Sequence, residues 1–172
     1  LARLYLANTT VRWTRPQEYY DQAPWRGTWE FDGGAFMNQA SHYVDLIQWL
    51  VGPVESIIAK TATLGRRIEA EDSGVAVLRF RNGTLGDIEV NVLTYPKNWE
   101  GSITIIGEKG SVKVGGTAVN RIERWEFADK DPDDATRAKY PKIVRIVSGN
   151  GGATFSGTKA YRTEMNHPAS VQ

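Results

Sequence analysis

Gly74-Val75-Ala76-Val77-Leu78-Arg79-Phe80-Arg81-Asn82-Gly83-Thr84-Leu85-Gly86-Asp87-Ile88-Glu89-Val90-Asn91-Val92-Leu93 reads as two strands folded back on one tight turn. Apolar, largely β-branched runs lie on both sides of the turn, at 74–81 and 84–93, the lengths and composition of strands. Asn82-Gly83 is the dipeptide a two-residue hairpin favours, because both positions tolerate a left-handed backbone. A loop this short joins antiparallel neighbours, whereas parallel ones need a crossover of about a dozen residues or more.

Outward from this hairpin the same texture continues. Runs at 54–63, 102–107, 111–114 and 122–127 read as strands, with Lys109-Gly110 as a second tight turn, and 3–13 is a further strand carrying Leu4, Leu6, Thr9 and Val11. Another strand is predicted at 143–147, after a charged, proline-containing excursion at 129–141. A glycine-rich loop follows at 148–158, and the last dozen residues read as either helix or coil. One stretch has helical spacing: 35–50 lacks proline and glycine, carries Met37, Tyr43, Leu46, Ile47 and Leu50, opens on Gly33-Gly34 and stops at Gly52-Pro53. The predicted fold is therefore α+β, an open, mainly antiparallel sheet with a helix packed on one face, in one domain spanning 1–172.

Composition narrows the function classes. The chain is 41% hydrophobic, enough to fold by burial, and its 21 basic against 20 acidic residues give no electrostatic reason for a nucleic-acid or anionic-membrane partner. Cysteine is absent, so disulfides, thiolate metal sites and cysteine nucleophiles are excluded, and a cytoplasmic location is expected. No apolar run approaches the roughly 20 residues that span a bilayer. The chain enters on Leu1 in what reads as mid-strand, as a piece of a longer protein would.

The chemistry concentrates around the helix. On a continuous helix Asn38 and His42, four residues apart, share a face, and Asp45 sits where a carboxylate fixes an imidazole tautomer and raises its basicity. That suits His42 to general base catalysis. Gly33-Gly34 allows close backbone approach to a ligand and leaves free N–H groups at a helix start. Ahead of it, Arg12, Arg15 and Arg26 stand among Tyr19, Tyr20 and Trp25 in a loop too aromatic to be a linker. Arginines give bidentate contacts to phosphate or carboxylate, and aromatic rings give sugar or base faces. The competing reading has these arginines paired with Glu18, Asp21 and Glu30 on a solvated loop, and His42 as a structural helix residue.

The run Gly33-Gly34-Ala35-Phe36-Met37-Asn38-Gln39-Ala40-Ser41-His42-Tyr43-Val44-Asp45, then Trp49 and Gly52-Pro53-Val54, resembles the GG-x-L-x-D-x-G-x-H-x-x-D segment of the Gfo/Idh/MocA family of NAD(P)-dependent sugar and nucleotide-sugar dehydrogenases. Glu71-Asp72-Ser73, Phe80-Arg81-Asn82-Gly83-Thr84-Leu85-Gly86 and Ile106-Gly107-Glu108-Lys109-Gly110-Ser111-Val112 resemble later family elements in order and spacing, so the likeness covers about residues 3 to 115. It implies a dihydrodipicolinate-reductase-like C-terminal domain, with NAD bound mainly by an N-terminal Rossmann domain that this chain lacks. No G-x-G-x-x-G sits between a strand and a helix here, and no Glu-Lys-Pro segment supplies the family's catalytic lysine. The resemblance makes His42, with Asp45, the acid/base at the oxidised hydroxyl. Asn38 stands where many members have aspartate, and an amide holds a hydroxyl without taking its proton.

Asn38, with the 12–20 and 25–29 stretches, is similar to the branch that oxidises the 3-hydroxyl of UDP-N-acetyl-2-amino-2-deoxyglucuronate in lipopolysaccharide O-antigen synthesis. The implied partners are a nucleotide sugar and further copies of the chain packed through a second, apolar sheet face. The implied fragment is inactive alone. Another sugar or inositol dehydrogenase branch, a non-catalytic oligomerisation sheet and an unrelated sugar-binding module are the other readings.

Overall fold

A computed structural model describes residues 1–129. The strand at 143–147, the glycine-rich loop, the last dozen residues and, beyond Asp129, the charged excursion lie outside the described residues. Among the described residues seven strands form a single sheet: β1 (Leu4–Arg12), β2 (Val54–Ala62), β3 (Ser73–Phe80), β4 (Leu85–Asn91), β5 (Glu100–Gly107), β6 (Gly110–Gly115) and β7 (Arg121–Phe127). Two helices, α1 (Gln17–Asp21) and α2 (Ser41–Val51), lie between β1 and β2.

The spatial order is β2-β3-β4-β1-β5-β6-β7. Every neighbouring pair is antiparallel except β1 and β4, which run parallel with Thr9 opposite Ile88 and Val11 opposite Val90. The first strand is thus the central one, and everything from residue 13 to 84 serves as the crossover that a parallel neighbour requires. Centrality explains why Ala7, Thr9 and Val11 are each fully buried.

The hairpin forms at Asn82-Gly83 but not on the two-residue turn expected: Phe80 N–H donates to the Thr84 carbonyl at 2.9 Å, so residues 81–83 make the loop, and of that dipeptide Gly83 alone takes the left-handed backbone. Gly83 has φ +86°, its N–H donates to the Phe80 carbonyl at 2.9 Å, and the Asn82 side chain accepts from Thr84 N–H at 3.0 Å. The Asn82 amide also donates to the Val51 carbonyl at 2.8 Å, satisfying one of the orphan carbonyls at the end of α2. The turn therefore fixes the helix as well as the strands.

Tyr43, Ile47 and Val51 recur every four residues and bury one stripe of α2 against Val11, Leu78, Phe80, Ile88, Val90 and Ile103. Ile47 and Val51 each contribute about 1.5–3 kcal/mol on leaving water. Met37, assigned by spacing to this stripe, is 69% exposed because the helix has not yet begun there.

The other sheet face is not the apolar one expected. Strand alternation puts Asn8 and Arg12, Asp87 and Glu89, Glu100 and Lys113 there, and they bond across strands: Asn8 to Asp87 at 2.6 Å, Arg12 to Glu89 at 2.7 and 2.8 Å, Lys113 to Glu100 at 3.0 Å. Hydrogen bonds from Ser102 and Lys113 overcome the opposing effect of burial and hold the Glu100 carboxyl below its ordinary range. Apolar side chains occupy two flanking patches, Ile58, Val75 and Val77 at one, Leu6, Leu85 and Ile106 at the other.

Candidate functional site

Because β1 and β4 are parallel, their carboxyl ends leave the sheet together. Trp13 N–H donates to the Asn91 carbonyl at 3.0 Å and Arg15 N–H to the Val92 carbonyl at 2.9 Å, which anchors the aromatic loop. Trp13 also meets Tyr43 of α2 edge to face at 5.9 Å. Within the loop α1 presents Tyr19 and Tyr20 differently. Tyr20 is 6% exposed, and burial pushes its phenol up to about 12, so it serves the core rather than a ligand face.

Tyr19 is half-buried and takes the Arg26 guanidinium at 4.1 Å and that of Arg15 at 5.4 Å from its ring centre. Arg15 lies 5.2 Å from the Trp13 ring and Arg26 5.3 Å from the exposed Trp25 ring. Neither arginine forms an ion pair among the described residues, so the pairing with Glu18, Asp21 or Glu30 is not made. Their hydrogen bonds go to the carbonyls of Thr14 and Tyr19, and the buried Arg26 Nε has no partner. Two uncompensated cations thus sit on aromatic faces, an arrangement suited to an anion bearing a ring.

Arg12 does not join them. It ends β1 on the opposite sheet face, where Glu89 takes its fork, Glu100 accepts at 3.2 Å and the Trp99 ring lies 5.7 Å away. The bond to Glu89 is the main reason its guanidinium is held more firmly protonated than usual. A residue number close to Arg15 gave no hint of a partner 77 positions downstream.

The helix is shorter than its spacing suggested. Residues 35–40 form successive turns, and α2 starts at Ser41. Asn38 is therefore not on the helix and shares no helical face with His42. The reason is tertiary. Ala35 N–H donates to the Glu71 carbonyl at 2.9 Å and Phe36 N–H to Glu71 Oε1 at 3.0 Å, so the amides that would have opened a helix are drawn across to the segment before β3. The same bonds occupy the N–H edge that looked available for an oxygen ligand. What approaches Gly34 is the Glu71 carboxylate, which fills the space of an absent Cβ.

His42 and Asp45 are exposed and three residues apart on α2, outside the core. Asn38 is held before them by its neighbours: its Nδ2 donates to Asp32 Oδ1, and its Oδ1 accepts from Gln39 Nε2 at 2.8 Å. The second Asp32 oxygen accepts from Gly27 N–H at 2.7 Å, beside Arg26.

Asp32, Gln39 and Glu71 are members of this site that the sequence reading did not single out. The available signals were an acid directly before Gly33-Gly34 and the Glu71-Asp72 pair heading a strand. Asp72, fully buried, accepts N–H groups from Leu64, Gly65 and Arg66. That turn leads into Arg67, whose N–H donates to Gln17 at 2.8 Å, and Ala70, whose N–H donates to Gly27 at 2.9 Å. Residues 64–71 thus brace the arginine loop and the Asn38 turn together.

A single-sheet α+β domain with this site matches the model of the GFO/IDH/MocA C-terminal domain over residues 1–113, and the chain belongs to that family. Among solved structures it is similar to the WlbA dehydrogenase from Bordetella pertussis in complex with NADH and UDP-GlcNAcA, with 67% identity over 80% of this chain and a TM-score of 0.78. The WlbA dehydrogenase from Chromobacterium violaceum, in complex with the same two ligands, is 64% identical over 80% of this chain with the same TM-score of 0.78. A levoglucosan dehydrogenase at 21% identity and TM-score 0.63 shares the fold. The chain spans 40% of the length of each WlbA dehydrogenase. Comparison with the curated proteins gives no match. Among the described residues no helix is long and apolar enough to cross a membrane.

Proposed function

We propose that this chain is the substrate-binding half of an NAD-dependent nucleotide-sugar dehydrogenase, oxidising the 3-hydroxyl of UDP-N-acetylglucosaminuronate for lipopolysaccharide synthesis in the cytoplasm. The observation that carries the proposal is the 67% identity to a dehydrogenase crystallised with NADH and that sugar. The described sheet has no parallel strand, glycine-rich turn and helix in succession, so its residues do not fit a dinucleotide. The cofactor belongs to a domain preceding Leu1 and supplies the hydride acceptor when bound.

The roles follow from the geometry. Arg15 and Arg26 take the diphosphate or the sugar carboxylate, with Tyr19 and Trp25 as ring faces. Asn38, which cannot accept a proton as its carboxylate counterpart would, holds a sugar hydroxyl. Proton transfer then falls to His42, oriented by Asp45, together with the lysine of the cofactor domain.

In the full-length parent protein, UDP-N-acetylglucosaminuronate should drive NADH formation, followed by absorbance. Arg26→Ala should raise KM for the sugar by about 10–100-fold, the equivalent of one lost charge-assisted contact of roughly 1.5–3 kcal/mol. No NADH with this substrate, but turnover of a free sugar or inositol, would move the chain to another branch.

The open sheet face supports a homo-oligomer. Its exposed apolar patches flank a ladder whose Arg12 is already paired within the chain to Glu89 and Glu100, so a second copy about a two-fold axis would bury apolar surface without stranding those charges. Sedimentation of the full-length protein should give a multiple of the single-chain mass, and substitution of Val77 by Lys should lower it. A monomer at micromolar concentration sinks this reading.

A further inference from the structure

Asn38 is held in one sense of its amide. An asparagine side chain offers two donors and two acceptor lone pairs. Asp32 takes one donor and the Gln39 amide, 4% exposed, fills one lone pair at 2.8 Å. Turning the amide over would set its oxygen against the Asp32 carboxylate and its nitrogen against the Gln39 donor, so both neighbours oppose the flip. One N–H and one lone pair are left for a ligand, in a fixed order.

Asp32 does more than hold that amide. Its second oxygen accepts from Gly27 N–H at 2.7 Å, next in the chain to Arg26, and its own N–H donates to the Thr28 carbonyl at 3.2 Å. One carboxylate therefore joins the hydroxyl-holding turn to the cation-bearing loop.

We propose that Asp32 is a positioning residue of the substrate site, fixing the amide sense of Asn38 and its spacing from Arg26. The proposal rests on the reading of the site as one for a nucleotide sugar. Asp32 touches no reacting atom. It acts through Asn38, and the match of a carboxylate at 32 to an amide at 38 is what the site requires.

A swap tests this directly. With asparagine at 32 and aspartate at 38 every bond has a counterpart and only the one between them reverses its sense: the new amide at 32 donates to the carboxylate at 38 and accepts from Gly27, while Gln39 still donates to position 38. Asp32→Asn alone, with its oxygen held by Gly27 N–H, turns an amide nitrogen toward the Asn38 donor while Gln39 still holds the Asn38 oxygen, so the 32–38 bond is lost unless one amide breaks another bond to flip.

In the full-length protein with NAD and UDP-N-acetylglucosaminuronate, Asp32→Asn should lower kcat/KM for the sugar about 10–100-fold, the worth of one charge-assisted bond, with KM for NAD unchanged. The Asp32→Asn/Asn38→Asp double variant should recover at least tenfold of that loss. It should also show a new acid limb in its pH profile, because a carboxylate now faces the sugar. Parent-like kcat/KM for Asp32→Asn, or a double variant no better than the single one, overturns the proposal. A parent protein that neither binds nor turns over the UDP-sugar overturns the reading of the site itself, and the proposal with it.

Discussion

Replacing His42 by alanine in the full-length protein is expected to lower kcat for sugar oxidation by about 10²–10⁴-fold, the usual contribution of a positioned acid/base. The melting temperature should hold, since His42 is exposed on α2 and alanine is the better helix former. KM for the sugar should change little, because the proposed function assigns binding to Arg15, Arg26 and Asn38. This separation of kcat from both KM and stability distinguishes a catalytic histidine from a structural one. Steady-state kinetics with a parallel thermal melt checks it. Turnover that survives the substitution would place proton transfer on the cofactor domain alone.

The reason so much is asked of His42 lies at position 38. A carboxylate there would share the proton transfer, but the amide of Asn38 only holds and orients. The nearest carboxylate, Asp32, already accepts from Asn38 and Gly27. The proposed function therefore divides labour: charge on the arginine loop for binding, amide geometry for orientation, imidazole for the proton.

What the sequence disclosed and what it hid divide by range of interaction. The place of the hairpin was legible because Asn82-Gly83 acts within four residues, and the helix core only in part: Tyr43 and Ile47 share the buried stripe, but Leu50, read with them, is 40% exposed and Val51 completes the stripe instead. The central place of β1 was hidden, since its pairing with β4 depends on a partner about eighty residues away. The helix start was hidden for the same reason: no local feature of 35–40 says that Glu71 will capture the Phe36 N–H. Arg12, Arg15 and Arg26 looked alike in sequence. Only the sheet decides that Arg12 faces Glu89 while the other two face rings. In the site, residue types were readable and their partners were not.

Gly34→Ala should be the most damaging small substitution at the site. A Cβ on Gly34 would overlap the Glu71 carboxylate, and Glu71 has nowhere to go: it is 4% exposed, its Oε1 holds Phe36 N–H at 3.0 Å and its carbonyl holds Ala35 N–H at 2.9 Å. Moving the carboxylate breaks the Phe36 bond inside the protein. Overpacking costs about 1–3 kcal/mol and an orphaned buried donor about 1–3 kcal/mol, so roughly 2–5 kcal/mol of stability should be lost. The damage should also reach function, because the same turn carries Asn38 into α2. Denaturant melts of the full-length protein would measure the first effect and kcat/KM the second. The cause is separable by a second substitution: Glu71→Ala in the Gly34→Ala background removes the overlapping group, so the double variant should be less unstable than the sum of the single ones by about 1–3 kcal/mol. Strict additivity, or a Gly34→Ala protein that melts with its parent, would show that the carboxylate and the turn are not in contact and that Glu71 does not set the start of α2 at Ser41.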